Sequence, residues 1–135
     1  MKTIAIIGLS AVFIITCVVL PWHDANISKA RGEALRERLV GVWLRAEHGM
    51  RLTNTVAADG SFVELSWFSH PDRTNTYRRT GTWLVQDGHL IETIKSSTNP
   101  TELTPHTDTG RVVRVDAGEF TVRWKSDETW QKIIP

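Results

Sequence analysis

Hydrophobic residues follow three different patterns along the chain, and each pattern predicts a different structure. The first is an apolar run from Ile4 to Leu20 that contains no charged residue. A helix of that length spans roughly 26 Å, slightly less than the hydrocarbon core of about 30 Å in a bilayer. We therefore expect residues 1–22 to be either a retained transmembrane anchor or a signal peptide that is removed.

The residues around this run favour different outcomes. Trp22 follows the run and is typical of an interfacial anchor, whereas Ser28 and Ala30 provide the small residues of a cleavage site after Ala30. Acylation of Cys17, as in a lipoprotein, is a third alternative. Lys2 precedes the run and predicts that the amino terminus stays in the cytoplasm. The remainder would then lie in the periplasm or outside the cell, joined to the cell membrane by a single span in contact with lipid.

The second pattern is a broken apolar stripe within residues 23–40. Ser28 is suited to cap a helix, and the apolar stripe consists of Ile27, Ala34, Leu35 and Leu39. Charged residues fill the positions between them. This segment therefore predicts a short amphipathic helix with a solvated polar face.

The third pattern is an alternation of apolar and polar residues that begins at Gly41 and is typical of β-strands. Asp59-Gly60, Asp87-Gly88 and Ala117-Gly118 have the composition of two-residue hairpin turns. The link from Ser97 to Gly110 is polar and contains two prolines, so we expect it to lie outside the strands. Residues 41–135 thus predict an all-β domain, a small antiparallel up-and-down barrel or curled sheet. We expect eight strands, at Val42–Glu47, Arg51–Ala57, Phe62–Phe68, Thr76–Val85, His89–Ser96, Arg111–Val115, Phe120–Lys125 and Thr129–Ile134.

Two-residue turns would fix the register of each hairpin and thereby identify the inward-facing side chains. They pair Leu52 with Trp67, Trp83 with Glu92, and Arg111 with Trp124. The expected inner face is apolar except for three polar residues, which are Asn54, Glu92 and Arg111. A buried charge is costly unless it is paired. These polar groups would therefore lie half-solvated at a barrel mouth, form an internal salt bridge, or orient a ligand.

A ligand site of this kind would be a cavity walled by tryptophans. The predicted ligand-binding residues are Trp67, Trp83, Trp124, Asn54, Glu92 and Arg111. An eight-stranded barrel either fills its interior with side chains or holds one small ligand, and the sequence leaves both alternatives open.

Four short motifs in this order resemble those of small bacterial lipocalin-like domains. They are Gly41-Val42-Trp43 after a short helix, Asp59-Gly60-Ser61-Phe62, Gly81-Thr82-Trp83, and Asp87-Gly88-His89-Leu90. The resemblance extends from Leu39 to about Ile133 and implies a barrel closed at one end by a plug. In such a plug Gly41 and Trp43 lie at the closed end, and a basic residue of the last strand packs on the tryptophan ring. Lys132 is the nearest match to that basic residue.

Composition and motifs exclude several classes of function. The formal net charge is +1, which is not the basic signature of a nucleic-acid-binding protein, and a single cysteine excludes an internal disulfide framework. The sequence contains no phosphate-binding loop, nucleophile elbow or HExxH motif. Its five histidines are scattered without the spacing of a zinc site. We therefore expect a protein that is not an enzyme, with no metal and no cofactor.

Two functional hypotheses remain. In the first, the domain is a membrane-anchored binding module that takes a small apolar molecule or lipid into its barrel. In the second, it is an accessory structural subunit of a larger membrane protein complex, with its helix packed against other spans and its barrel capping them.

Overall fold

A computed structural model describes residues 29–133, and within that range the chain forms one helix and eight β-strands. Helix α1 covers residues 29–39. The strands are β1 Gly41–Glu47, β2 Met50–Val56, β3 Ser61–His70, β4 Arg73–Gln86, β5 His89–Ser97, β6 His106–Val115, β7 Glu119–Arg123 and β8 Asp127–Lys132. This order confirms the prediction of an all-β segment preceded by a short helix.

The eight strands close into an antiparallel barrel in up-and-down order. Each strand pairs with its neighbours in sequence, and β1 also pairs with β8, where Trp43 lies opposite Lys132. Closure confirms the predicted barrel and excludes an open curled sheet. A core of buried apolar side chains, including Phe62, Ile94 and Val122, lies inside it.

Helix α1 packs against one end of the barrel through residues of its predicted apolar stripe. Leu39 is buried, and Leu35 packs against the core. Arg36 donates a hydrogen bond of 3.0 Å to the carbonyl oxygen of Ala58, and its guanidinium lies 5.6 Å from the centroid of the Trp83 ring. We call this end, which also carries the β2–β3, β4–β5 and β6–β7 turns, the helix end. The opposite end, with the other four connections between strands, is the mouth end.

The predictions for the amino-terminal segment fall outside the described residues. The run from Ile4 to Leu20, Trp22 and the proposed helix cap Ser28 all precede residue 29, so the anchor, the signal peptide and the cap stay predictions. From residue 29 to residue 133, no helix is long and apolar enough to cross a membrane.

The register of β2 and β3 differs by one residue from the prediction. A two-residue turn at Asp59-Gly60 would pair Val56 with Val63, whereas Val56 pairs with Phe62. A three-residue loop, residues 58–60, replaces that turn, and Gly60 within it has a φ of 89°. Three-residue hairpin loops commonly end in this left-handed conformation, which glycine adopts without a Cβ clash.

A slip of one residue exchanges the two faces of a strand. Consequently Phe62, Glu64 and Ser66 are buried inside the barrel. Trp67 instead lies half-buried on the outer surface, with the guanidinium of Arg51 5.9 Å from its ring centroid. The prediction that Trp67 faces the interior was therefore wrong.

The β6–β7 hairpin begins as predicted and then departs from the expected register. Its turn contains the two expected residues, and Val115 lies opposite Phe120. A β-bulge between Val112 and Arg114 then shifts the pairing, so that Val112 rather than Val113 lies opposite Val122. A bulge inserts one extra residue into a strand and reverses the facing of the residues beyond it.

The bulge also places Arg111 on the outer surface. Arg111 pairs with Arg123 instead of Trp124 and is exposed. The predicted inward placement of Arg111 was therefore wrong, and so was the salt bridge between Arg111 and Glu92 that this placement allowed. The β4–β5 hairpin, by contrast, has the predicted two-residue turn, and Trp83 lies opposite Glu92 as predicted.

Strand β6 begins earlier than the sequence suggested. Residues 106–110 pair with β5 although they belong to the polar link that we expected to lie outside the strands. The exposed Thr107 and Thr109 show why, because an outward-facing threonine suits a barrel strand. Pro100 and Pro105 both precede the strand, so neither interrupts its hydrogen bonds.

Candidate functional site

The helix end of the barrel is filled by side chains. Trp43 is completely buried, and its indole Nε1 donates to the carbonyl oxygen of Leu39 over 2.7 Å. The ammonium of Lys132 lies 5.2 Å from the Trp43 ring centroid and donates to the carbonyl oxygen of Val40 over 3.1 Å. Gly41, at the start of β1, lies beneath the Lys132 side chain. The residues that the resemblance assigns to the barrel plug are thus in mutual contact.

The barrel also contains a cavity of about 570 Å³, which reaches the mouth end at Lys125 and Ser126 of the β7–β8 turn. That volume is within the range of small-molecule sites. One part of its wall is apolar and strongly aromatic, and consists of Leu52, Leu90, Phe120, Val122, Trp124 and Trp130.

Trp124 approaches the barrel wall closely because β6 carries glycine at the facing position. A Cβ atom at Gly110 would lie 2.6 Å from the Trp124 ring. Phe120 and Trp130 stack in parallel with a centroid separation of 5.9 Å, and Phe120 meets the Trp43 ring edge-on at 4.7 Å. The aromatic cluster of the plug therefore continues into the cavity wall.

The other part of the cavity wall is charged. It contributes four carboxyl groups, from Glu64, Glu92, Asp108 and Glu128, and three cations, from Arg45, Arg79 and Lys125. Arg45 pairs with Glu128 at 2.6 Å, and Arg79 pairs with Glu64 at 3.3 Å. These ion pairs compensate two of the four carboxylates.

Glu92 and Asn54 form the polar centre of the cavity. Asn54 is 3% exposed, and its Nδ2 makes a long hydrogen bond of 3.5 Å to Glu92 Oε1. The Asn54 Oδ1 atom is buried and has no hydrogen-bond partner within residues 29–133. Over the same residues Glu92 forms no ion pair. The polar centre of the cavity therefore contains one buried oxygen without a partner in that range and one carboxyl group without an ion pair there.

Burial changes the protonation of the carboxyl groups in this wall. Desolvation raises the pKa of Glu92 to about 8, and the nearby Glu64 carboxylate adds to the increase. Part of Glu92 still contacts the cavity. Desolvation also raises the pKa of Glu64, although Arg79 opposes that change. Glu92 is thus predominantly protonated at neutral pH, so that one of its oxygens is a hydrogen-bond donor.

Three of the six predicted ligand-binding residues line the cavity, namely Asn54, Glu92 and Trp124. Trp83 also faces inward but lies at the helix end, where its Nε1 donates to the carbonyl oxygen of Ala57 over 2.9 Å. Trp67 and Arg111 lie on the outer surface.

Sequence reasoning missed Glu64, Trp130 and the two arginines Arg45 and Arg79. The predicted register of β2 and β3 assigned Glu64 to the outer face. A three-residue loop at residues 58–60, in place of the two-residue turn, would have predicted that Glu64 lies inside. Trp130 follows from alternation along β8, in which the even-numbered positions 128 and 130 face inward. Among the described residues, no three His, Cys, Asp or Glu side chains are grouped so that they could hold a metal ion.

No protein-family model matches this chain, and no curated protein matches its sequence.

Proposed function

We propose that this chain is a non-catalytic, lipocalin-like binding module that holds a small, largely apolar molecule inside its barrel. The cavity of about 570 Å³ carries this proposal, since it combines an aromatic wall with a charged wall in which Arg45 and Arg79 pair with Glu128 and Glu64. The buried Asn54 Oδ1 atom, which has no partner among residues 29–133, also supports it, because a ligand donor at this atom would offset the cost of its burial, about 1–3 kcal/mol.

The contacts at the helix end support the lipocalin-like part of the proposal. A glycine-x-tryptophan motif at the start of β1 and a basic residue of the last strand over the tryptophan ring are features that the resemblance implies. Trp43 and Lys132 have this arrangement, with 5.2 Å between the ammonium and the ring centroid.

We further propose that the module works outside the cytoplasm and is joined to the cell membrane by the apolar run Ile4–Leu20. The charge-free run and the preceding Lys2 support this proposal. Intact-mass analysis of the protein extracted from membranes in mild detergent tests it. A mass that retains residues 1–22 supports the anchor, and a chain that starts at residue 31 in the soluble fraction contradicts it.

Titration with N-phenyl-1-naphthylamine, an uncharged aromatic probe whose fluorescence increases in apolar surroundings, tests the binding function. We expect saturable binding of one molecule per chain and quenching of tryptophan emission, since Trp124 and Trp130 line the cavity. An absence of saturable binding to the folded wild-type protein would contradict the proposal.

Two neighbouring positions on β2 provide a matched pair of variants. Leu52 lines the cavity, whereas Thr53 faces outward. Leu52→Trp should fill the cavity and weaken probe binding at least about tenfold, and Thr53→Trp should leave it unchanged. Circular dichroism confirms that both variants are folded. If the two variants lose the same amount of probe affinity, or if neither loses any, the probe binds outside the cavity.

A further inference from the structure

The acceptors at the centre of the cavity define which chemical group a ligand must supply. Within residues 29–133, Asn54 Oδ1 is buried without a partner, and Glu92 accepts a long hydrogen bond of 3.5 Å from Asn54 Nδ2. A carbonyl oxygen and a carboxylate both accept hydrogen bonds. A ligand group that donates at least two hydrogens therefore complements Asn54 Oδ1 and the carboxylate form of Glu92.

The charges around Glu92 indicate that this donor is positive. Arg79 is already bound by Glu64 and by Glu102, at 3.3 Å and 2.7 Å respectively. Asp108 lies directly opposite Glu92 on β6 and adds a further negative charge. Glu92 thus forms no ion pair among residues 29–133 and lies beside other carboxylates, although Lys125 also lines the cavity and Arg79 partly offsets their effect. A cationic group placed there would stabilise the carboxylate form of Glu92, which burial and the neighbouring carboxylates disfavour.

We propose that the ligand is a small organic cation, an aromatic or aliphatic primary amine, whose ammonium group binds Glu92 and Asn54 Oδ1 while its apolar body packs against Trp124 and Trp130. This inference rests on the proposed binding function and specifies the class of ligand. An ammonium group donates three hydrogen bonds, which suits the Asn54 oxygen and the two oxygens of Glu92. Phe120, Trp124 and Trp130 supply the apolar and cation–π contacts that such ligands use.

Protonation of Glu92 gives this proposal a specific signature. The pKa of Glu92 in the protein without ligand is raised to about 8 by desolvation and by Glu64, with Asp108 adding to the increase and Arg79 opposing it. An ammonium group requires the carboxylate form, so its binding below that pKa releases one proton. Affinity for an amine therefore rises with pH, by about tenfold per pH unit between about pH 5.5 and 7.5.

The test compares 2-phenylethylamine with 2-phenylethanol, which has the same body and no charge, by isothermal titration calorimetry. At about pH 7.5 we expect the amine to bind at least about tenfold more tightly than the alcohol. The amine should show the pH dependence given above, and the alcohol should not. Equal affinities, or an amine affinity that does not change with pH, would overturn the proposal.

Variants locate the effect at Glu92. Glu92→Gln keeps the size of the side chain and should weaken amine binding at about pH 7.5 by tenfold or more, with no remaining pH dependence. Binding of 2-phenylethanol should change by less than about twofold, which shows that the cavity is intact. Glu119→Gln is the matched control, because Glu119 does not line the cavity and accepts a hydrogen bond from Gln131 Nε2. A loss in the control equal to that in Glu92→Gln would contradict the assignment.

N-phenyl-1-naphthylamine separates this proposal from the binding function on which it rests. If that uncharged probe binds and the amine shows no preference over the alcohol, the cationic ligand is wrong and the binding function stands. If neither the probe nor either ligand binds the folded protein, both proposals fail.

Discussion

The ammonium of Lys132 and the ring of Trp43 lie 5.2 Å apart, and this contact joins the last strand of the barrel to the first. Lys132 Nζ also donates to Val40 just before β1, so the lysine fixes both the ring and the segment that leads from α1. The helix end is thereby sealed, and the cavity extends to the mouth end.

Removal of the plug ring should destabilise the whole barrel. Trp43→Ala deletes a completely buried indole and should lower the free energy of unfolding by about 3–5 kcal/mol. Trp67→Ala is the control, because Trp67 lies half-buried on the outer surface, and we expect a loss of about 1 kcal/mol or less. Urea unfolding followed by circular dichroism measures both. Similar losses in the two variants would show that Trp43 is not the centre of the plug.

Stability should depend on the protonation of Glu92. Its pKa is about 8 in the folded protein and close to the ordinary glutamate value of 4.5 in the unfolded chain, so the folded state binds one more proton than the unfolded state between these pH values. The free energy of unfolding should therefore decrease as pH rises from about 4.5 to 8, by at most about 1.4 kcal/mol per pH unit.

Glu92→Gln should remove most of this pH dependence, because glutamine does not titrate. The variant should be more stable than the wild type near pH 8 and similar to it near pH 5. Chemical unfolding at both pH values measures the difference. A wild-type stability that increases over this range, after comparison with the variant, would contradict the raised pKa.

The ion pair between Arg79 and Glu64 compensates a buried charge. Glu64 is 7% exposed, so Arg79→Met leaves its carboxyl group without the cation and should cost about 2–4 kcal/mol. Glu64→Gln in the same background should recover part of that loss, since it removes the uncompensated charge. A double-mutant cycle by urea unfolding measures the coupling. Additive effects of the two substitutions would show that the pair contributes nothing.

Gly110 should control the position of Trp124. Gly110→Ala introduces a methyl group 2.6 Å from both the Trp124 ring and the Val122 side chain, so at least one of these cavity-lining groups must shift. We expect a destabilisation of about 1–3 kcal/mol and weaker binding of N-phenyl-1-naphthylamine. Gly118→Ala is the control, because a Cβ atom added at this turn would have no described side chain or non-adjacent backbone atom within 4 Å. This variant should bind the probe as the wild type does.

The sequence was sufficient to predict the barrel because alternation and turn residues act locally. The Asp87-Gly88 hairpin shows this well, since its two-residue turn gave the correct register and placed both Trp83 and Glu92 inside. Asn54 was also placed correctly, because its position on β2 follows from the apolar residues on either side of it.

The errors arose where one extra residue changed the facing of a strand. A loop of three residues rather than two at Gly60 moved Trp67 outward and Glu64 inward. A bulge beside Val113 placed Arg111 on the outer surface instead of inside the barrel. Neither change alters composition or the position of the turn signal, and the affected strands carry apolar residues on both faces. Local patterns therefore could not distinguish the two registers, and only packing across the barrel selects one.

The contact between Lys132 and Val40 also has a consequence for the order of folding. These partners are 92 residues apart in sequence, so the seal forms only after nearly the whole described chain has been synthesised. Hairpins such as β3–β4 can form earlier from local contacts, whereas pairing of β1 with β8 requires closure of a long loop. Folding is therefore expected to end, rather than begin, at the junction between the first strand and the last.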